Sequence, residues 1–296
     1  MNRKLTLTIV GGMLLSTALS AQNAILDALP VAVDLGGNTK YDGWYNLTAS
    51  QKTKTIHGVE QTIPGNSGYP GFMGSTNAWP SPIYSQLKSY GETSTVGLQK
   101  TANGVAGGPF PSGDSLYYGS FGSEPNTFGG SVGIFEDSPL ADLNTILFQV
   151  QIGEAWTYDY FVDPVDGIQE PVLTLEYGDG LSATIAADIS ELMLAAYNGT
   201  VEMPTGDEDV FINLYGYQWD VSDYSNISSF SIEFDAVEHA QLYALQLDQS
   251  SVDYGTTSMI PQAVPEPGTW ALIAGSSMLA IVLVRRRRPT TQVQSA

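Results

Sequence analysis

The side chains able to do chemistry are unevenly supplied along this 296-residue chain: thirty-one carboxylates, two histidines and no cysteine. Without a thiol, cysteine nucleophiles and thiolate metal sites are excluded. His57 and His239 are too few for a catalytic zinc site, and no Gly-x-Ser-x-Gly elbow accompanies them. His239 falls in Glu238-His239-Ala240, between two expected strands, where a turn belongs. Hydrolysis by paired carboxylates needs two acids held at a defined separation. The least ordinary acids are Glu154 beside Trp156 and Asp159 between Tyr158 and Tyr160, and neither lies in a distinctive motif. The sequence therefore assigns no catalytic residue, and the expectation is a protein that is not an enzyme.

Two kinds of ligand site stay open. Calcium takes about 6–8 oxygen ligands, which loop acids and carbonyls supply. Asp159, Asp163 and Asp166 with Gly167 form one candidate loop, and Asp207, Glu208 and Asp209 after Gly206 form another. Neither has the alternating order of an EF-hand, so solvated loop acids are the competing reading. Sugar rings stack on flat aromatic faces, and Trp44, Trp79, Trp156 and Trp219 are the candidates for that role. Core packing competes for each of them.

Charge narrows the partners. Between residues 22 and 264 five basic side chains face thirty acidic ones, a formal −25, and no Lys or Arg occurs from Thr101 to Val284. Such a surface repels phosphates, which excludes nucleic acid, and it suits solubility in salty water.

The elements that must position these residues read as strands. Residues 36–135 hold nineteen glycines and many interspersed aromatics, the composition of short strands and turns. From Ile146 to Ile152 apolar residues alternate, as they do in Phe230–Asp235 and Tyr243–Leu247. Val172–Tyr177 and Leu181–Ala186 flank Gly178-Asp179-Gly180, the signature of a hairpin, and Val210–Tyr217 is a further strand. One helix is expected: Asp188 and Glu191 form a capping box, Ile189, Leu192, Met193 and Ala196 follow helical spacing, and Asn198-Gly199 ends it. The expected fold is an all-β, jelly-roll-like sandwich over residues 22–262 with a loop-rich N-terminal half. Two subdomains meeting near residue 136 are the second option.

The two termini read differently. Arg3-Lys4, an apolar run to Leu19 and the small residues Ser20 and Ala21 make residues 1–21 a secretory signal peptide. Near the other end, Val264-Pro265-Glu266-Pro267-Gly268 precedes an uncharged fifteen-residue run, Trp270 to Val284, and then Arg285, Arg286, Arg287 and Arg288. As a helix that run is about 22 Å long, short of a hydrocarbon core of about 30 Å, so it spans only with snorkelling arginines or local thinning. The arginines orient it with the cytoplasm on their side and the acidic body outside. Residues 289–296 are then a short cytoplasmic tail.

Over residues 263–288 this arrangement resembles the PEP-CTERM sorting signal of Gram-negative, biofilm-forming bacteria. The resemblance implies that Pro265, Glu266 and Pro267 are the recognition and cleavage region for a membrane-embedded exosortase. It implies too that the apolar helix holds the chain in the inner membrane until it is cut. The expected partners are the secretion machinery, signal peptidase, an exosortase-type enzyme and exopolysaccharide. The expected destination is the cell surface or extracellular matrix. As functions, a structural matrix protein comes first, a sugar-binding module with or without calcium second, and a polysaccharide-degrading enzyme third.

Overall fold

The computed structural model describes residues 29–48, 50–56, 59–65, 82–89, 96–112, 115–119, 127–154, 160–161, 165–203 and 206–262. Short strands occupy the first half: β1 (Thr39–Trp44), β2 (Lys52–Ile56), β3 (Val59–Ile63), β4 (Ile83–Tyr84), β5 (Leu87–Lys88), β6 (Gly97–Asn103), β7 (Phe110–Ser112) and β8 (Ser115–Tyr117). Longer ones follow: β9 (Phe128–Glu136), β10 (Thr145–Glu154), β11 (Val172–Tyr177), β12 (Leu181–Ala186), β13 (Ile189–Met203), β14 (Gly206–Asp220), β15 (Ile227–Val237) and β16 (Gln241–Ser250).

Two antiparallel sheets hold most of them. One runs β13-β14-β10-β16-β1-β5, with the β7–β8 hairpin attached to β16, and the other runs β12-β11-β15-β9-β6-β4. The pairing is nested: β1 lies on β16, β9 on β15, β10 on β14, and β11 on β12. From β9 onward the chain crosses back and forth between the sheets. This is the connectivity of a jelly roll, in which one long folded ribbon wraps into two facing sheets. Strands from both sides of residue 136 share both sheets, so the body is not cut there.

Alternation explains the core. In β15 Phe230, Ile232 and Phe234 are buried while the residues between them are half-exposed. Phe148 of β10 meets Phe234 across the sandwich with ring centroids 5.9 Å apart. Leu173 and Leu175 from one sheet and Tyr215, Tyr217 and Trp219 from the other complete the same cluster. At one end of this interior a buried ion pair joins the sheets. Lys40 Nζ lies 2.5 Å from Glu136 Oε2, and the same oxygen accepts from Gln249 Nε2 at 2.9 Å. Burying two charges is tolerable because each also finds neutral partners: Lys40 donates to Ser138 O, and Ser138 N donates to Glu136 Oε1.

The outer face of the β10–β16–β1 region is also buried, by segments flanking the strands. Residues 29–38 cross it as a strap held by side chains rather than by a ladder. Val31 N donates to Gln149 Oε1, and Gln149 Nε2 returns a bond to Val31 O. Val33 N donates to Asp248 Oδ1, and Tyr45 OH to Pro30 O. Residues 251–262 cover the neighbouring strands, where Met259 N donates to Gln218 Oε1. The two segments meet in a cluster of Leu35, Leu147 and Ile260.

The expected helix is a strand instead. Residues 189–203 form β13, antiparallel to β14, with register shifts between Leu192 and Leu194 and between Tyr197 and Gly199. Each shift breaks the two-residue alternation, so apolar residues recur at spacings that imitate a helix. Ile189 and Met193 pack outward near Leu35 and Ile260, whereas Leu192 packs on the core. The Asp188 carboxylate accepts from Asp220 N at 2.8 Å, a strand-side bond in place of a helix cap.

Candidate functional site

Of the residues singled out by sequence, the structure describes Trp44, Trp219, Asp166 and the Asp207–Asp209 segment, and it places them apart as follows. Trp44 and Trp219 are wholly buried. Their indole N–H groups donate to Ile83 O at 2.8 Å and Ile185 O at 3.3 Å, so both are core residues and neither offers a face to a sugar. Trp79 and Trp156 lie outside the described residues, as do Asp159 and Asp163. Asp166 is exposed in a turn completed by Gly167 at φ +85°. Asp207, Glu208 and Asp209 follow one another along β14 rather than in a loop, with Asp207 and Asp209 on the same face of the strand. Among the described residues no group of three acids or histidines is placed to hold a metal. His239 occupies the expected turn, at φ +73°, with its Nδ1 2.6 Å from Tyr117 OH.

One groove opens at an end of the sandwich, about 510 Å³ in volume, between the β9–β10 and β14–β15 connections. Leu140, Asp142 and Asn144 line one wall, and Ser222, Tyr224 and Asn226 the other. Each wall carries a residue in the left-handed region, Asp142 at φ +57° and Asn226 at φ +56°. Asp and Asn are the side chains that tolerate that conformation, and it fixes the curvature of each wall. Val221 N bonds to Asn144 O at 2.8 Å, tying the walls together at the base. Asp142 is the sole carboxylate among the lining residues. A groove of this size and polarity accommodates a small polar ligand.

The most perturbed carboxyl lies elsewhere. Asp248, on the outer face of β16 beneath the strap, is pushed up to about 8 by burial, against the opposing bonds from Gln246 and Val33 N and with the Asp42 charge adding to the rise. Burial also raises Tyr45 and Tyr243 on the same sheet, the latter to about 12. Asp248 and Tyr45 are buried beneath the strap, and Tyr243 is half-buried. Sequence reasoning missed Asp248 because its position alternates as a wet-face residue should, and nothing local announces the strap.

Pro265, Glu266, Pro267 and the arginines 285–288 lie outside the described residues, as do the signal-peptide region and the expected membrane helix. Among the described residues no helix is long and apolar enough to cross a membrane. The compact body ends at Pro261. Comparison with curated proteins found no match. A family model does match the segment that follows the body. A motif of that kind marks an exported protein held at the membrane in transit and passed to exosortase-type processing. Residues 263–288 of this chain are a PEP-CTERM protein-sorting motif.

Proposed function

We propose that the protein is a non-enzymatic component of the cell surface or extracellular matrix, exported through its N-terminal signal peptide and released into place by cleavage at its sorting motif. The observation that carries this reading is the sorting motif itself, which begins two residues after the folded body closes at Pro261. The placement of the described acids is what the non-enzymatic reading draws on. A glycosidase pairs two carboxyls across an open cleft, one with raised proton affinity. Here the raised carboxyl, Asp248, is sealed under the strap, and Asp142 is the one carboxylate among the described residues that line its groove. Mass spectrometry of the chain recovered from the native envelope and medium tests the proposal. The expected product begins just after Ser20 or Ala21 and lacks the residues beyond the Pro265–Pro267 region. Intact chains with the tail retained in the cytosol would refute it.

A second reading, that the body binds glycans, is favoured by aromatic and polar groups that the fold leaves open. The end groove is one such place, with the Tyr224 ring beside hydroxyl and amide groups.

A further inference from the structure

Among the described residues the β13–β14 ribbon continues past the end of β10. Pairing between β10 and β14 stops at Glu154↔Phe211, while β13 and β14 continue from Gly199↔Val210 to Met203↔Gly206. Among the described residues the outer part is a two-stranded ribbon, roughly 15 Å long at about 3.3 Å per residue. Such a ribbon is marginal in water by itself and must be held by its own side chains. Here they form one ordered face. Tyr197 and Phe211 pair edge to face, with centroids 5.7 Å apart. Tyr197 OH lies 2.7 Å from Thr200 Oγ1, which donates to Asp209 Oδ1 at 3.1 Å. Glu202 and Asp207 pair directly across the ribbon further out.

Two properties of this face exceed what the fold requires. Tyr197 and Phe211 remain 44% and 39% exposed, although they anchor the ribbon. Carboxylates stand directly beyond the rings, and no Lys or Arg occurs between Thr101 and Val284 to neutralise them. An aromatic face attracts a cation through its quadrupole, by about 0.5–1 kcal/mol at an exposed site. A carboxylate next to it adds a charge-assisted hydrogen bond. Apolar ring surface flanked by acids is thus complementary to a ligand that presents a flat C–H face and an ammonium group together.

We propose that this face of the ribbon binds a glycan bearing free amino groups, with a sugar ring on the Phe211 face, Tyr197 at its edge, and its ammonium on Asp209. The proposal rests on the second reading above and gives it a site and a ligand class. Uronic or sulfated polymers do not fit, because the face offers them only like charge. A peptide adding a strand fits poorly, because the β13 edge is interrupted at Leu192/Leu194 and at Tyr197/Gly199 and lacks a regular ladder to extend.

The test uses the full chain in detergent, titrated calorimetrically at low salt with a glucosamine hexamer, its fully N-acetylated counterpart, a galacturonate hexamer and hexalysine. The glucosamine hexamer should bind and the galacturonate should not. Phe211→Ala and Asp209→Asn should each weaken glucosamine binding by about tenfold, a loss of about 1.4 kcal/mol. Asp209→Asn should leave the N-acetylated hexamer unchanged. Val201→Thr, next to Thr200 on the opposite face, should bind as the parent does, and equal unfolding midpoints exclude loss of the fold. Glucosamine binding that survives both substitutions would overturn the ribbon site while leaving the sugar-binding reading intact. Hexalysine binding with equal affinity, lost in the same variants, would reassign the face to basic peptides. No glycan binding at all would refute both.

Discussion

Asp248→Asn should stabilise the protein at neutral and alkaline pH and change little in acid. The wild-type carboxyl sits 1% exposed under the strap, and its second oxygen, Oδ2, has no hydrogen bond. Its neighbours are Gln246 Nε2 at 3.0 Å and Val33 N at 3.3 Å, with the carboxylate of Asp42 on the adjacent strand adding to the rise. Unfolding returns it from about 8 to its ordinary 3.8. The native state therefore holds a proton that the unfolded state releases, and stability must fall as pH rises through this window. The contribution is present in full below pH 3.8 and lost as pH climbs through about 8. Each tenfold in proton affinity is worth about 1.4 kcal/mol, which sets a ceiling of roughly 4 kcal/mol at pH 7. Asparagine keeps the shape and the acceptor for Val33 N but carries no proton to lose. Urea denaturation of both proteins from pH 4 to pH 9 measures the gap directly, and the other carboxylates cancel in the difference. A gap that stays flat with pH would refute the reasoning, because it would mean that Asp248 is ionised in the folded protein.

Breaking the buried pair tests the opposite case, a charge that must stay charged. Glu136→Gln leaves Lys40 Nζ inside without its anion and should lower stability by about 3–5 kcal/mol, whereas Lys40→Met combined with Glu136→Leu should recover most of the loss in the same denaturation assay. Trp219→Phe removes the indole bond to Ile185 O and some core volume, so the unfolding free energy should drop by about 1–2 kcal/mol while any glycan titration stays unchanged.

What the sequence made legible followed from local alternation. β10, β11, β12, β15 and β16 are each written as apolar residues two apart, and Gly178-Asp179-Gly180 supplies the hairpin turn with both glycines at positive φ. Alternation failed where the register slips. The shifts in β13 turned a strand into a convincing helical pattern, and only the pairing with β14, a property of tertiary structure, decided the matter. It also misled where a face is covered from a distance. Gln149, Gln246 and Asp248 read as the wet side of their strands, yet the strap that buries them lies more than a hundred residues away in sequence from Gln149. The site reading failed for a related reason: size drew attention to the tryptophans, and the two described ones are needed in the core. Tyr197 and Phe211 stay 44% and 39% exposed on β13 and β14, which no local composition signals.

The strap also constrains the order in which an exported chain closes. Leu29–Asn38 belongs to the first part of the body to emerge, but its partners are Gln149, Asp248, Ser251 and the Ile260 cluster. Asp248 and Ser251 follow their strap partners by more than two hundred residues, and Ile260 lies three residues before the sorting motif begins at 263. The outer face of the β10–β16–β1 region, with Gln149, Gln246 and Asp248 upon it, must therefore stay uncovered until the motif itself is in reach. That face is mixed: Gln149, Gln246 and Asp248 are polar, whereas Leu147 packs with Leu35 and Ile260. Gln149 and Asp248 are the groups on that face that the strap satisfies with hydrogen bonds once it closes.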